Sequence, residues 1–106
     1  MLKITHPITG AELQVANQDF SDKMAWSEAI RACNELGSGW RLPTKEELNA
    51  MYEQLHKKGQ GGFTETCYWS SMEYDSYDAW GLWFTNGLAT NYNKGDKGYV
   101  RAVRAF

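Results

Sequence analysis

The residue types best suited to contact another molecule cluster in the second half of the sequence, where tyrosine, tryptophan and asparagine recur. The chain carries five Trp, six Tyr and four Phe, 14% of its residues, and a single small core cannot enclose so many rings. Tyr and Trp offer rigid contact area with one polar end, and Asn adds adaptable hydrogen bonds, as in antibody loops. The predicted ligand-binding residues are Trp83, Tyr74, Tyr77, Asn91, Tyr92 and Asn93.

Two alternatives stand beside this interpretation. The tyrosines and asparagines could be ordinary loop residues that bond to their own backbone. In the predicted strand at residues 79–85, period-two alternation places Trp80, Leu82 and Phe84 on one face and Trp83 on the other. If the first face packs on the helices, Trp83 points outward, unless a loop covers it.

Cysteine and histidine predict no metal site and no cofactor. Two cysteines, Cys33 and Cys67, do not make a disulfide framework. A zinc site would need His6 and His56, which have no ligand-like spacing. Free thiols are therefore expected, with Cys33 on a buried helix stripe.

Charged residues in the second half allow two further readings. Glu73, Asp75 and Asp78 carry the hard oxygen atoms that calcium prefers, but no glycine-hinged loop spacing supports a calcium site. Arg101 and Arg104 could bind an anion. Because they lie in the predicted closing strand, we expect instead an internal ion pair with Glu46, Glu47 or an aspartate of residues 73–78.

The overall charge argues against a nucleic-acid partner. Eleven Lys and Arg stand against thirteen Asp and Glu, for a net charge of −2, whereas phosphate-backbone binders carry a clustered basic excess. No apolar stretch is long enough to cross a bilayer, and residues 1–7 lack the pattern of a signal peptide. We expect no membrane partner, and a cytoplasmic or virion-associated location.

The elements that must position these residues follow from periodicity and turn signals. One or two short strands are predicted in residues 2–20, then a helix near 24–36 that ends at Gly37. Thr44 and Glu47 have the spacing of a capping box, so a second helix begins there and ends at Lys57, Lys58 and Gly59.

From residue 63 onward the pattern is typical of strands. A strand at 68–71, a polar loop at 73–78 and a strand at 79–85 lead to a two-residue hairpin turn at Asn86 and Gly87, and 99–106 is the closing strand. Helices followed by strands predict a single α+β domain over residues 1–106.

Four segments in this order, WRLPTKEEL (40–48), YWSSMEYD (68–75), AWGLWFTNG (79–87) and VRAVR (100–104), carry a family resemblance. Over residues 22–106 the chain resembles the bacterial and phage Lcl C-terminal-domain-like family of unknown function. That family looks like a branch of the C-type-lectin fold, related to formylglycine-generating enzymes. The resemblance implies two helices packed on a twisted antiparallel sheet, with the N- and C-terminal strands paired.

The resemblance also implies a use, since such domains are generally adhesion or ligand-binding modules. The calcium–sugar tripeptide of true C-type lectins is absent, which speaks against calcium-dependent sugar binding. Family members often carry a cysteine where this chain has Ala102, so Cys33 lacks that partner.

We therefore expect a non-catalytic module, phage- or prophage-encoded, that presents an aromatic and polar loop face to a protein or glycan ligand. The first alternative is an intracellular protein-binding domain, such as a phage-encoded inhibitor of a host protein. The second is an enzyme of the formylglycine-generating type, which would need a reactive cysteine pair near the closing strands.

Overall fold

The computed structural model describes all 106 residues. In chain order the elements are β1 (Leu2–Thr5), β2 (Glu12–Val15), α1 (Trp26–Glu35), α2 (Lys45–Gln54), a 3-10 turn (His56–Lys58), β3 (Cys67–Glu73), β4 (Asp78–Trp83), β5 (Ala89–Asn93) and β6 (Val103–Ala105). Two helices and two three-stranded antiparallel sheets confirm the α+β prediction.

The strands form two sheets rather than the single twisted sheet that was expected. One has the order β1-β2-β6, so the C-terminal strand pairs with the N-terminal hairpin through β2, and the other has the order β3-β4-β5. The two sheets are joined near Tyr99, whose carbonyl oxygen accepts the Trp69 N–H at 3.0 Å and whose N–H donates to the Cys67 carbonyl at 3.0 Å.

Helix α2 begins at a local capping signal, whereas the start of α1 is set by a contact between distant segments. In α2, the Thr44 hydroxyl accepts the Glu47 N–H (3.2 Å) and the Glu47 carboxylate accepts the Thr44 N–H (2.9 Å), which confirms the capping box. Helix α1 starts at Trp26, later than predicted, because the backbone of Met24 is paired with Gly98.

Two clusters of buried apolar residues lie on opposite sides of the β3-β4-β5 sheet. The α2-side core joins α2 and the β1-β2-β6 sheet to residues such as Tyr68, Leu82 and Phe84. The α1-side core joins α1 to residues such as Trp69 and Ala79. The β3-β4-β5 sheet is therefore buried on both faces over part of its length.

Two predicted elements differ from those observed. β4 ends at Trp83, and residues 84–87 form a four-residue loop in which the Gly87 N–H reaches the Trp83 carbonyl at 2.7 Å, so the two-residue hairpin turn is wrong. Phe84, the first residue of this loop, is fully buried in the core. The closing strand is only three residues long, because residues 98–102 pair with several different segments instead of one strand.

Candidate functional site

The strand register places the candidate residues on opposite faces of the β3-β4-β5 sheet. Trp83 is paired with Cys67, and Tyr92 with Ala79, on the face towards α1. Asn91 is paired with Trp80, which alternation places on the face towards α2. The predicted ligand-binding set therefore does not form one continuous patch on one face.

On the α1 face, a row of three rings runs from the interior to the surface. Trp69 is 1% exposed, and its ring edge meets Tyr92, whose centroid is 5.0 Å away. Tyr92 then meets Trp83 at 6.4 Å, and Trp83 is 36% exposed. Tyr92 is thus half-buried between the two indoles and covers Trp83 only in part.

The hydroxyl of Tyr92 has a structural partner. It donates to the Lys97 carbonyl at 3.2 Å, and partial burial raises the pKa of this phenol. The main role of Tyr92 is therefore to close the sheet over Trp69, and Trp83 is the residue of this row that a ligand could reach.

On the α2 face, the half-buried Trp80 lies under a cation. The Lys45 ammonium, from the first turn of α2, is 4.0 Å from the Trp80 ring centroid, and Tyr74 packs edge-on at 5.1 Å. Trp80 lies on the face that packs on α2, but it is only half-buried there. Its indole N–H has no acceptor within the protein, which leaves a polar-aromatic surface open to solvent.

The loop between β3 and β4 presents two tyrosines and is held by its own hydrogen bonds. The Asp75 carboxylate accepts the N–H groups of Tyr77 (2.8 Å) and Asp78 (2.7 Å), and the Tyr74 N–H donates to the Asp78 carbonyl at 3.0 Å. Tyr77 is 75% exposed and Tyr74 is 51% exposed. The rings project from a backbone that is already ordered.

Lys94 ties this loop to the rest of the molecule. Its N–H donates to the Tyr77 carbonyl at 2.9 Å, and its ammonium donates to Glu73 and to the Ser76 carbonyl. The same ammonium lies 4.9 Å from the ring centroid of Trp26, at the start of α1. The loop therefore has a fixed position relative to both the sheet and α1.

The two candidate asparagines are partly used by the protein itself. The Asn91 side-chain amide donates to the Asp78 carboxylate at 2.9 Å. The Asn93 side-chain carbonyl accepts the Gly95 N–H at 2.9 Å. Asn93 is therefore a loop residue whose side chain bonds to the nearby backbone, as the alternative interpretation has it. Asn91 is exposed, and the oxygen atom of its side-chain amide has no partner in the protein.

The two loop tyrosines, Tyr74 and Tyr77, lie at the opposite end of β4 from Trp83. The strand has six residues from Asp78 to Trp83, so its ends lie five steps apart, a distance of roughly 17 Å at the usual rise per residue. We define the loop-end surface as Tyr74, Tyr77, Trp80 and Asn91. Trp83 stands apart from it, at the end of the sheet near the 84–87 loop.

Sequence reasoning missed a groove next to this surface. It has a volume of about 350 Å³ and lies between α2 and the β4–β5 hairpin, with Pro7 and Ile8 also on its wall. Its lining residues are Pro7, Ile8, Lys45, Glu46, Asn49, Leu82, Gly87 and Ala89. These residues come from three distant segments, so no local spacing in the sequence could have revealed it.

Arg101 forms an internal ion pair, as predicted, but its partner is not one of the predicted residues. The Arg101 side chain is fully buried, its Nε donates to Asp19 at 2.8 Å, and its guanidinium also bonds the Ala16 carbonyl at 3.0 Å. The predicted partners Glu46, Glu47 and the aspartates of 73–78 are wrong, because the chain brings residue 19 across Arg101.

Arg104 makes no ion pair. Its Nε donates to Gln14 at 2.8 Å and its guanidinium lies 4.5 Å from the Trp40 ring centroid. Glu47 pairs instead with Arg41, at 2.7 and 2.9 Å. Burial alone would raise the pKa of Glu47, but the hydrogen bonds from Arg41 and Thr44 outweigh it, so this pKa is lowered.

The acidic residues of the β3–β4 region are engaged with protein groups. Glu73 pairs with Lys94, Asp75 accepts backbone N–H groups and Asp78 accepts Asn91. No three His, Cys, Asp or Glu side chains converge as a group that could hold a metal ion.

The cysteines are free and buried. Burial raises the pKa of both the Cys33 and Cys67 thiols to about 12. Only a minute fraction of either residue is therefore thiolate at neutral pH, and the thiolate is the nucleophilic form.

Comparison with known proteins places this α+β domain in a family. Residues 6–104 match the family model described as Lcl C-terminal domain, and the chain belongs to that family. No curated protein matches the sequence. No helix in the molecule combines the length and apolar character needed to cross a membrane.

Proposed function

We propose that this chain is a non-catalytic binding module that contacts a protein or glycan ligand through the loop-end surface. The observation that carries the proposal is the pair of exposed tyrosines, Tyr74 and Tyr77, on a loop fixed by its own hydrogen bonds. The C-type-lectin-like resemblance of the family agrees with such a use.

The fixed loop favours binding because little conformational entropy remains to be lost. Ordering a mobile side chain or loop at an interface opposes association. Here the backbone of residues 74–78 is held by Asp75 and Lys94 before any ligand arrives. Tyrosine rings add large contact area at a low cost in side-chain entropy.

The surface around these rings suits a polar ligand as well as a planar one. Trp80 offers a ring face beneath the Lys45 ammonium, and Asn91 offers an amide oxygen beside it. Sugars stack on such rings and bond to such amides, and protein side chains do the same. Trp83 would contribute only to a ligand long enough to reach the other end of β4.

The chemistry of the candidate nucleophiles supports a non-catalytic role. An enzyme of the formylglycine-generating type would need a reactive cysteine, and both thiols are buried with a pKa of about 12. His6 accepts the N–H groups of Ile8 and Thr9 through Nδ1, so its imidazole organises the β1–β2 turn.

A labelled domain applied to a printed glycan array and to a displayed library of random peptides tests the proposal. We expect binding to members of at least one of the two, and at least a tenfold weaker signal for Tyr77→Ala. Phe106→Ala is the matched control, because Phe106 is also a highly exposed ring but lies next to β6. Equal weakening by both variants, or no binding to either probe, contradicts the proposal.

The same experiment separates the two settings considered for this module. Selective glycan binding favours a phage adhesion or receptor-binding role, and selective peptide binding favours an inhibitor of a host protein. Both settings use the loop-end surface, so the choice between them does not affect the expected loss in Tyr77→Ala.

A further inference from the structure

Strand β5 is the open edge of the β3-β4-β5 sheet. β4 is the only strand paired with β5, and the segment Ala89–Asn93 reads ATNYN, with no charge and no proline. Natural proteins usually protect exposed edges with charges, prolines, bulges or a covering segment. β5 has no charge, proline or bulge of its own.

The register fixes which backbone groups of β5 are free. The Trp83 N–H donates to the Leu88 carbonyl at 2.9 Å, and the Lys94 N–H donates to the Tyr77 carbonyl at 2.9 Å. Hydrogen-bonded and non-bonded pairs alternate along an antiparallel ladder. Between these two bonds, the backbone N–H and C=O groups of Thr90 and Tyr92 therefore point towards β4. The backbone N–H and C=O groups of Ala89, Asn91 and Asn93 point away from it.

These outward groups lie in one exposed row. Ala89, Asn91 and Asn93 are all exposed, whereas Thr90 and Tyr92 are half-buried. The Asn93 carbonyl already accepts the Asp96 N–H at 3.0 Å. The Asn91 carbonyl accepts only the Thr90 hydroxyl, at 3.4 Å. The free groups are therefore the N–H and C=O of Ala89 and the N–H groups of Asn91 and Asn93, which we call the β5 edge together with the Asn91 carbonyl.

The groove beside α2 adjoins this edge on the α2 face. Ala89 is paired with Leu82, and both residues line the groove together with Pro7 and Ile8. A strand added to the β5 edge would lie about 4.8 Å farther out, and its residue opposite Ala89 would point to the same face. The side chain of that residue would meet the apolar wall of the groove.

We infer that the β5 edge binds an extended peptide segment of a partner protein by strand addition, with an apolar side chain of that segment in the groove beside Ala89. The row of unpaired backbone groups can form hydrogen bonds with the backbone of an extended peptide, and these bonds give affinity. The groove accepts one side chain of that peptide and so gives specificity at that position. This inference rests on the proposed function and names the class of ligand and how it is held.

A second copy of the chain fits this edge less well. Antiparallel pairing of two β5 strands about Asn91 would place Asn93 of the second copy opposite Ala89, so an amide and not an apolar group would face the groove. Pairing of the two β5 strands about Thr90 also brings outward-pointing backbone groups of one copy opposite those of the other. Two registers of similar quality specify a dimer poorly.

A matched pair of variants isolates the backbone contribution. Asn91→Pro removes an outward N–H that makes no bond to β4, and proline is accepted at edge strands where the N–H faces solvent. Asn91→Ala removes the same side chain, including its bond to Asp78, but keeps the N–H.

The probe is a displayed library of random twelve-residue peptides, selected on the immobilised native chain. We expect enriched peptides to alternate apolar and polar residues and to bind Asn91→Pro about tenfold more weakly than Asn91→Ala, as expected for a lost hydrogen bond and its neighbours. Should Asn91→Pro fail to fold, peptides methylated at alternate backbone nitrogens give the same comparison on the native chain.

Three results would overturn the inference. The first is that no peptide is enriched. The second is that enriched peptides bind the two Asn91 variants equally, or that methylated and unmethylated peptides bind equally. The third is that the native chain sediments as a dimer and that Asn91→Pro abolishes this dimer. Tyr77→Ala separates this failure from that of the proposed function: if it weakens binding while the two Asn91 variants bind equally, the loop-end surface stands and strand addition does not.

Discussion

Trp69 and Trp83 lie on the same face of the same sheet and both contact Tyr92, yet they differ in exposure and in hydrogen bonding. Trp69 is 1% exposed and its indole N–H donates to the Met24 carbonyl at 2.7 Å. Trp83 is 36% exposed, and its indole N–H has no acceptor in the protein. Trp69 packs in the α1-side core with residues of α1 and of the 98–102 segment, whereas Trp83 lies outside that core and its ring contacts Tyr92.

The same contrast holds for the other tryptophans near the sheet. Trp26 is half-buried and donates its indole N–H to the Ser70 carbonyl at 2.8 Å. Trp80, beneath Lys45, leaves its N–H to solvent. The helices therefore cover only part of the sheet, and the rings beyond that cover are not needed to fill the core.

The largest expected effect is a difference in stability between the two ends of this face. Trp69→Ala should lower the free energy of unfolding by about 3–5 kcal/mol, the cost of a cavity at a buried aromatic. Trp83→Ala should lower it by about 2 kcal/mol or less, because Trp83 is already 36% exposed and its removal leaves no enclosed cavity. Urea unfolding of both variants measures the difference, and equal losses would break the comparison.

A buried ion pair should repeat the contrast among charged residues. Asp19→Ala leaves the fully buried Arg101 without its counter-charge and should lower the free energy of unfolding by about 3 kcal/mol. The exposed pair of Lys3 and Glu12, at 3.4 Å, is the control, and Glu12→Ala should cost less than about 1 kcal/mol. A small loss in Asp19→Ala would mean that water reaches Arg101.

The smallest of the three stability effects depends on pH. Because the pKa of Glu47 is lowered in the folded chain, the stability that its carboxylate contributes is present above the unfolded pKa of about 4.3 and is lost as the pH falls through the folded value. Glu47→Gln should therefore show a weaker loss of stability on acidification than the native chain. Denaturation midpoints between pH 7 and pH 2 measure it.

Glu73 provides the matched control for that pH experiment. Its carboxylate is largely exposed and pairs with Lys94 outside the covered part of the sheet. Glu73→Gln should leave the acid profile close to that of the native chain, since exposed pairs are weakened by solvent. If the two substitutions flatten the profile equally, the comparison between covered and uncovered regions does not extend to carboxylates.

Local signals allowed much of the fold to be predicted. The Thr44–Glu47 spacing marked the start of α2 correctly, and Gly37, with φ of +71°, ends α1 as expected. Alternation along β4 correctly separated Trp83 from Leu82. Each of these features depends on residues a few positions apart.

Contacts between distant segments could not be predicted in the same way. Arg101 meets Asp19 from 82 positions away, and Lys45 meets Trp80 across α2 and β4. The candidate set was assembled by residue type, and the strand register then divided it: Tyr77 lies at one end of β4 and Trp83 at the other. Composition indicated that rings would be exposed, but not which of them would lie together.

Unfolding and binding measured on the same Tyr77→Ala sample provide the most direct single test of the claim that the uncovered rings are there to touch a ligand. The free energy of unfolding should stay within about 0.5 kcal/mol of the native value, while the signal on the glycan array or the peptide library falls at least tenfold. An unfolding loss close to that of Trp69→Ala, with ligand binding intact, would show that the ring supports the fold instead.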